Sequence, residues 1–248
     1  MLRLQPEIYL VMGVPITFAL QRFVRRQPLR AMWVISAPPF RLDGKGKVIA
    51  LGLAAIPLVL AVTAASARRW ETCAWSVCAT GGAIPAAYAL RHFRRTLVRP
   101  LLACLSINSV IVGLIWTALS AWPVGVRAGG ARSLAYGFAF VIMSLIIYIP
   151  VVFVMEEVSF RGVLDAHLHR PGEGRGWGSA LFLSALWGLW HLPIAGDISL
   201  QTVGELLFFH CAVGVVLSLY WRRTGTLVIS GASHAFIDAL RDALFSAG

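Results

Sequence analysis

The sequence has 248 residues, of which 58% are hydrophobic and only 13% are charged, and its mean hydropathy is +0.75. Soluble domains are about 45–50% apolar and about 25% charged, so this composition excludes an ordinary soluble protein and indicates a membrane protein. The formal net charge of +11 does not indicate nucleic-acid binding, because the arginines lie in short connections between apolar runs, where lipid head groups and topology account for them. We therefore expect the lipid bilayer as a partner, and no nucleic acid.

Eight apolar segments follow one another along the chain. A spanning helix needs about 20 mostly apolar residues, and its backbone groups must be hydrogen-bonded within the segment, which favours helices over strands. The sequence thus predicts an all-α fold, a polytopic transmembrane bundle of about eight helices that forms one integral membrane domain over residues 1–248. The expected spans are 5–24, 48–67, 72–90, 101–122, 133–155, 176–195, 201–221 and 225–246.

The basic residues predict the orientation of the chain. Most of the 22 Lys and Arg residues fall in the first, third, fifth and seventh connections between the expected spans. Cytoplasmic loops carry the excess of basic residues, so these connections are expected to be cytoplasmic and both termini to face outward. The first connection is the longest, and we expect a short interfacial segment in it at residues 29–37. The sequence therefore predicts a multi-pass protein of the cell (inner) membrane.

The first polar motif in the late helices is Glu156-Glu157, followed by Arg161. Charges within membrane spans are expensive, so each one requires a partner or a function. Glu157 and Arg161 are four residues apart, so on a helix they share a face and can pair, whereas Glu156 is turned by about 100°. We expect one unbroken helix from Met155 to Leu168, with one carboxylate held ionised and the other available.

Two further motifs follow on later helices. If the chain turns back near Pro171, Glu156 and His191 lie at similar distances along the chain from the turn, and therefore at similar depth in the bundle. His234 and Asp238 are four residues apart on the eighth expected helix, so they share a face. The sequence therefore predicts that a carboxylate and two imidazoles meet inside the bundle.

These residue types permit hydrolysis. Glu156 and His191 could polarise a water molecule, with the glutamate as general base, and His234 and Asp238 could hydrogen-bond the oxyanion that forms when this water attacks a peptide carbonyl. Two histidines with carboxylates are also a possible zinc set. Their spacing is not that of H-E-x-x-H, so the metal signal is weak.

The pattern E-E-x-x-x-R, then aromatic-x-x-x-H, then H-x-x-x-[N/D], each on its own late helix, resembles the CAAX-protease and bacteriocin-processing (CPBP, or Abi) family. That family includes the prenyl-protein peptidases that act on CAAX ends. The resemblance covers about residues 133–246. It implies that no metal or other cofactor is required, and it implies these roles: Glu156 as base, Glu157 paired with Arg161, His191 holding the water, and His234 with Asp238 at the oxyanion site.

Two residues depart from the family pattern. Trp187 stands where the family usually has Phe, which we expect to be a mild change in packing. Asp238 stands where the prenyl-protein members usually have Asn. An ionised aspartate only accepts hydrogen bonds and would repel an oxyanion, so Asp238 must be protonated or must act by orienting His234.

The resemblance implies an intramembrane endopeptidase, a hydrolase that cuts membrane-associated protein or peptide substrates with a Glu/His-activated water. Two alternatives remain. A transporter could carry an intramembrane Glu/His/Asp relay, although the inverted repeats that are common in transporters are not found. A non-catalytic scaffold or immunity protein could carry the same residues. Glu205 and His210 have no partner on the same helix face and are expected to be packing residues.

Overall fold

The computed structural model describes residues 6–35, 39–120, 134–169 and 172–245. Over these ranges the regular elements are helices, together with one isolated backbone bridge between Val34 and Thr226. The all-α fold is therefore confirmed. The expected span ends at residues 5, 122, 133 and 246 lie outside the described residues.

The described part of the chain contains nine α-helices, with π and 3-10 turns at several of their ends. The π-helical segments are Leu20–Val24 and Val158–Asp165, and the 3-10 turns are Leu29–Met32, Arg95–Leu97 and Leu192–Ile194. The α-helices are α1 (Pro6–Ala19), α2 (Gly44–Ser66), α3 (Trp70–Arg91), α4 (Val98–Ser120), α5 (Leu134–Val152), α6 (Ala166–Leu168), α7 (Trp177–Trp190), α8 (Leu200–Thr224) and α9 (Leu227–Phe245).

Each of the eight expected spans coincides with one of these helices, but their lengths differ. Among the described residues, four helices are long and apolar enough to cross a membrane: Gly44–Ser66, Thr72–Arg91, Arg95–Ala118 and Leu200–Thr224. Phe138–Val152 is apolar but shorter. The fold is thus a membrane helical bundle that combines long spans with shorter elements.

The helices pack in an order that brings the late ones together. Helix α2 packs on α3, α3 on α5, α5 on α9, α9 on α4, α4 on α8, and α8 on α7. Helix α2 turns exposed apolar side chains outward, among them Leu51, Val59 and Val62, as expected for a surface that faces lipid. Helix α9 contacts α4, α5 and α8, and four of its polar side chains are buried: Ser230, Ser233, His234 and Asp238.

The start of α2 is fixed by a polar contact with the end of α3. The Asp43 side chain accepts a hydrogen bond from Gly46 N at 2.7 Å and thereby caps α2. Arg91 Nε donates to the same carboxylate at 2.8 Å. The Arg91 guanidinium holds the pKa of Asp43 well below its usual range. This contact joins α2 and α3 at one end of the bundle.

The first connection, in which an interfacial segment was expected at residues 29–37, forms a 3-10 turn over Leu29–Met32. Met32 and Trp33 are buried in the core against α3, α5 and α9. Trp33 O accepts from Leu227 N at 2.9 Å, and Ile35 N donates to Gly225 O at 3.0 Å. An apolar pair in this arginine-rich connection is thus inserted into the bundle, and the position of the segment at the membrane surface stays a prediction. Residues 36–38 lie outside the described residues.

The helix that carries the Glu156-Glu157 motif is separate from α5. It runs without interruption from Glu156 to Leu168, as expected, but it is wound as a π-helix over Val158–Asp165. A turn at Phe153–Met155 precedes it, so the fifth expected span ends three residues too late. Phe153 lies in this turn, outside the hydrogen-bond pattern of a regular helix. Its carbonyl oxygen accepts a hydrogen bond from the Trp33 indole N–H at 2.6 Å. A residue 120 positions away therefore stabilises the break.

The close approach of α3 and α5 depends on Gly82. A Cβ atom at this position would overlap the backbone carbonyl of Pro150, whereas a Cβ at the neighbouring Gly81 would meet nothing within 4 Å. We expect Gly82→Ala to lower the free energy of unfolding by about 1–3 kcal/mol, because the two helix backbones must move apart. Gly81→Ala is the matched control and should be neutral or slightly stabilising. Thermal unfolding of the two variants in detergent would test this, and an equal effect of both would contradict it.

Candidate functional site

The site is built around a fully buried ion pair. Arg161 Nη1 donates to Glu157 Oε1 at 2.8 Å, and both side chains are 0% exposed. The second arm of the guanidinium, Nη2, donates to Gly214 O on α8 at 3.2 Å. A Cβ at Gly214 would lie 2.8 Å from Arg161 Nη2, so only glycine lets the guanidinium reach this carbonyl. The pairing expected from the i, i+4 spacing is confirmed.

Glu156, one residue earlier, faces a different set of groups. Its Oε2 accepts from the indole Nε1 of Trp187 at 2.9 Å and lies 3.5 Å from His191 Nε2 and 3.7 Å from His234 Nε2. Trp187 and His191 belong to α7 and its C-terminal cap, and His234 belongs to α9. Three separate elements therefore bring the expected carboxylate and both expected imidazoles together.

The backbone fixes which nitrogen of His191 carries a proton. Nδ1 lies 2.9 Å from Trp187 O, and a carbonyl oxygen only accepts, so Nδ1 must donate. Nε2, which points at Glu156, is therefore the atom that can take or give a proton at the site. The helix end accordingly sets both the orientation and the tautomer of this ring.

His234 lies between carboxylates on both sides of its ring. Nδ1 is 3.0 Å from Glu157 Oε1, and Nε2 is 3.3 Å from Asp238 Oδ2. Carboxylate oxygens accept hydrogen bonds, so both nitrogens face acceptors, an arrangement that suits the imidazolium form. Glu157 therefore has two partners, Arg161 and His234, and it joins the buried ion pair to the rest of the site.

Three of these residues could also hold a metal ion. One ligand atom from each of Glu156, His234 and Asp238 can be chosen so that all three lie within 4.8 Å of one another. The other carboxylate oxygen of Asp238 is 2.9 Å from Arg241 Nη1. A cation at this position would therefore compete with a guanidinium that already neutralises one of its ligands.

Trp187 contributes more than the mild packing change that was expected for it. Its indole N–H is a hydrogen-bond donor to Glu156, which a phenylalanine at this position could not provide. Its ring also stacks under the guanidinium of Arg161, with 4.4 Å from Cζ to the ring centroid. Trp187 thus contacts both Glu156 and Arg161, the partner of Glu157. The aromatic-x-x-x-H motif did not predict either contact.

His210, expected to be a packing residue, is at the edge of the site. It is buried on α8, and its ring centroid lies 4.4 Å from that of His191 and 4.5 Å from that of Trp187. Only the presence of a histidine within an apolar span could have indicated this. Glu205, in contrast, is exposed and accepts from Gln201 at 2.8 Å, so it is not a packing residue.

An apolar cavity lies between α1, the π-helical segment Val158–Asp165 and α7. Its volume is about 360 Å³, and its wall includes Phe160 and Trp190. Trp190 and Trp187 both pack against Phe160, with ring centroids at 5.5 and 6.4 Å. The wall also holds Thr17 and Ser159, whose hydroxyl oxygens are 2.9 Å apart. The cavity could therefore take an apolar group, and its wall residue Phe160 contacts Trp187, the hydrogen-bond donor to Glu156.

A family model described as "Type II CAAX prenyl endopeptidase Rce1-like" matches residues 137–240. This part of the chain is therefore similar to the CAAX-protease family. The match to the Rce1-like model begins within α5, ends within α9, and includes all the residues that the motifs single out: Glu156, Glu157, Arg161, His191, His234 and Asp238. No curated protein and no solved structure matches the chain.

The Rce1-like domain should depend strongly on Arg161 for its stability. Arg161→Gln would leave Glu157 buried without its guanidinium partner, and breaking a buried pair from one side costs about 3–5 kcal/mol. Arg223→Gln removes an exposed arginine of the same bundle and should change the free energy of unfolding by less than about 0.5 kcal/mol. Chemical denaturation in detergent measures both. A loss below about 1 kcal/mol in Arg161→Gln would mean that the pair is not the structural centre of the domain.

Proposed function

We propose that the protein is an intramembrane endopeptidase of the CAAX-protease type. It hydrolyses a peptide bond in membrane-associated protein or peptide substrates with a water molecule that Glu156 and His191 activate. The observation that carries this proposal is the convergence of Glu156, His191 and His234 from three elements on one buried point. The family match supports the reaction class.

In the proposed reaction Glu156 is the general base. A water molecule held by Glu156 Oε2 and His191 Nε2, which are 3.5 Å apart, loses a proton to the carboxylate as its oxygen attacks the carbonyl carbon of the substrate. The protonated Glu156 then delivers this proton to the leaving nitrogen, and the C–N bond breaks. No serine or cysteine nucleophile and no metal is required.

His234 stabilises the oxyanion in this proposal. As an imidazolium between Glu157 and Asp238 it carries a positive charge 3.7 Å from Glu156 Oε2, close to where the carbonyl oxygen would become negative. A fixed charge of this kind in a water-poor site stabilises the transition state without reorganisation. Asp238 orients His234 and does not itself donate to the oxyanion.

The apolar cavity gives the substrate a place to bind. An apolar group of a membrane-associated substrate could occupy the cavity beside Phe160 and Trp190 while the peptide bond reaches Glu156. We propose that substrates approach from the cytoplasmic side of the inner membrane. Arg222, at the end of α8, donates to Gly176 O at 2.6 Å, so the two late connections that were expected to be cytoplasmic meet at one end of the bundle.

Replacing the base should abolish processing. Glu156→Gln keeps the size of the side chain and an oxygen that can accept from Trp187, but it removes the basic carboxylate, so we expect the cleavage rate to fall by about 10²–10⁴-fold. Glu205→Gln is the matched control, since Glu205 is exposed on α8. The measurement is a comparison of new N- and C-termini in membranes of cells that express the wild type or either variant.

The outcome separates the proposed peptidase from its alternatives. Termini that disappear in Glu156→Gln and persist in Glu205→Gln identify substrates and support the peptidase. Identical termini in all three strains, with the variants folded and inserted, would refute it and favour the non-catalytic scaffold. Ion or solute flux that depends on Glu156, without any change in termini, would favour the transporter.

Trp187 should matter for the rate more than for folding. Trp187→Phe restores the residue that the family usually has but removes the N–H that donates to Glu156 Oε2. A hydrogen bond to a charged group contributes about 1.5–3 kcal/mol, so the substitution should alter kcat by about tenfold or more. Trp177→Phe, at the exposed start of the same helix, controls for the loss of an indole and should leave kcat within about twofold. Equal effects of the two substitutions would contradict a specific role for Trp187.

A further inference from the structure

Asp238 poses a problem that the proposed reaction must resolve. It places a carboxylate beside Glu156 and His234, at a position where the resembling prenyl-protein peptidases usually carry a neutral Asn. A second ionised carboxylate close to the general base would repel Glu156 and, later, the oxyanion. Asp238 is buried, so water does little to screen this repulsion. A compensating charge must therefore come from the protein.

Arg241 supplies that charge. It lies one helical turn after Asp238 on α9, and its Nη1 is 2.9 Å from Asp238 Oδ1. The other oxygen, Oδ2, is 3.3 Å from His234 Nε2. The carboxylate is thus held between a guanidinium and an imidazole, with one oxygen for each. The contact with Arg241 offsets the negative charge of Asp238. It also determines that Oδ2 is the oxygen that faces His234.

Arg241 is itself anchored by a second acidic residue. Its Nε and Nη2 donate to Asp242 Oδ1 at 3.0 and 2.8 Å. The other oxygen of Asp242 accepts from Tyr148 Oη on α5 at 2.6 Å. The guanidinium therefore uses three nitrogens, two for Asp242 and one for Asp238, in a fork geometry that fixes its orientation. A series of polar contacts therefore runs from Tyr148 on α5 through Asp242 and Arg241 to Asp238 at the site.

We propose that Arg241 is a positioning residue that makes an aspartate at position 238 compatible with catalysis. It compensates the charge of Asp238 and holds Oδ2 toward His234, so that Asp238 orients the imidazole without repelling Glu156. Arg241 does not contact the reacting atoms in this scheme. This inference deepens the proposed function and rests on it, because the reaction that it supports is the proposed hydrolysis.

A charge-compensation cycle tests the inference. The assay uses a fluorogenic peptide that spans a cleavage site found by the comparison of termini. We expect Arg241→Gln to lower kcat by at least about tenfold with KM changed less than about threefold, because Asp238 is left uncompensated beside the base. Adding Asp238→Asn should restore kcat to within about threefold of the Asp238→Asn single variant. Arg223→Gln is the control and should leave kcat unchanged.

A charge-preserving variant keeps the test valid if Arg241→Gln does not fold. Arg241→Lys retains the positive charge but not the fork, and we expect it to keep kcat within about threefold of the wild type. A loss in Arg241→Lys as large as that in Arg241→Gln would overturn charge compensation. So would a double variant no more active than Arg241→Gln, or an unchanged kcat in Arg241→Gln.

A spectroscopic measurement separates this inference from the proposed function. The ring ¹⁵N resonances of His234 in the full-length protein in detergent, assigned with His234→Gln, should shift in Arg241→Gln and stay unchanged in Arg223→Gln at the same pH. Unchanged resonances in Arg241→Gln would overturn the positioning role even in an active enzyme. Failure of the proposed function is recognised differently, as unchanged termini in Glu156→Gln.

Discussion

The organisation of the late helices depends on the requirement that a charge removed from water be compensated. Glu157 and Arg161 are both fully buried in a bundle of apolar helices, where an unpaired charge is very unfavourable. Their contact therefore constrains everything around it. Helix α8 must carry a glycine where the guanidinium passes, and α9 must approach closely enough for His234 to reach Glu157. The site is assembled by the elements that satisfy this pair.

The same requirement accounts for the composition of the whole cluster. Three carboxylates, those of Glu156, Glu157 and Asp238, face two guanidinium groups and one histidine that lies among them. If the histidine is an imidazolium, three positive groups face these three carboxylates, and Arg241 is shared with a fourth carboxylate, that of the partly exposed Asp242. Carboxylates that are each paired in this way can be placed in a low-dielectric interior, and the fixed charges can act on a substrate there more strongly than in water.

The sequence was informative wherever the relevant contact is local. The spacing of Glu157 and Arg161, and of His234 and Asp238, follows directly from the helical repeat, and both contacts are present. The succession of apolar segments likewise predicted the all-α membrane bundle. The meeting of Glu156 with His191 needed one further assumption, a turn between their helices, and the structure contains a connection there.

Contacts between distant parts of the chain could not be predicted in this way. The indole of Trp187 reaches Glu156 across 31 positions, and nothing in an aromatic-x-x-x-H pattern distinguishes a tryptophan that donates from one that only packs. His210 lies beside His191 because α7 and α8 pack together. The turn before Glu156 depends on an indole donor in the first connection. Periodicity reports which face a residue occupies, but not which partner that face meets.

The bridge between Val34 and Thr226 has a consequence for how the protein could have evolved. It ties the first connection to the start of α9, and the adjacent Trp33 fills the gap that the turn after α5 leaves. Trp33 and Val34, which make these contacts, lie outside residues 137–240, the part that matches the Rce1-like family model. The matched segment is thus smaller than the unit that packs together. Exchange of the amino-terminal helices between relatives would be constrained to sequences that preserve this indole and this backbone pairing, even though neither contacts a substrate.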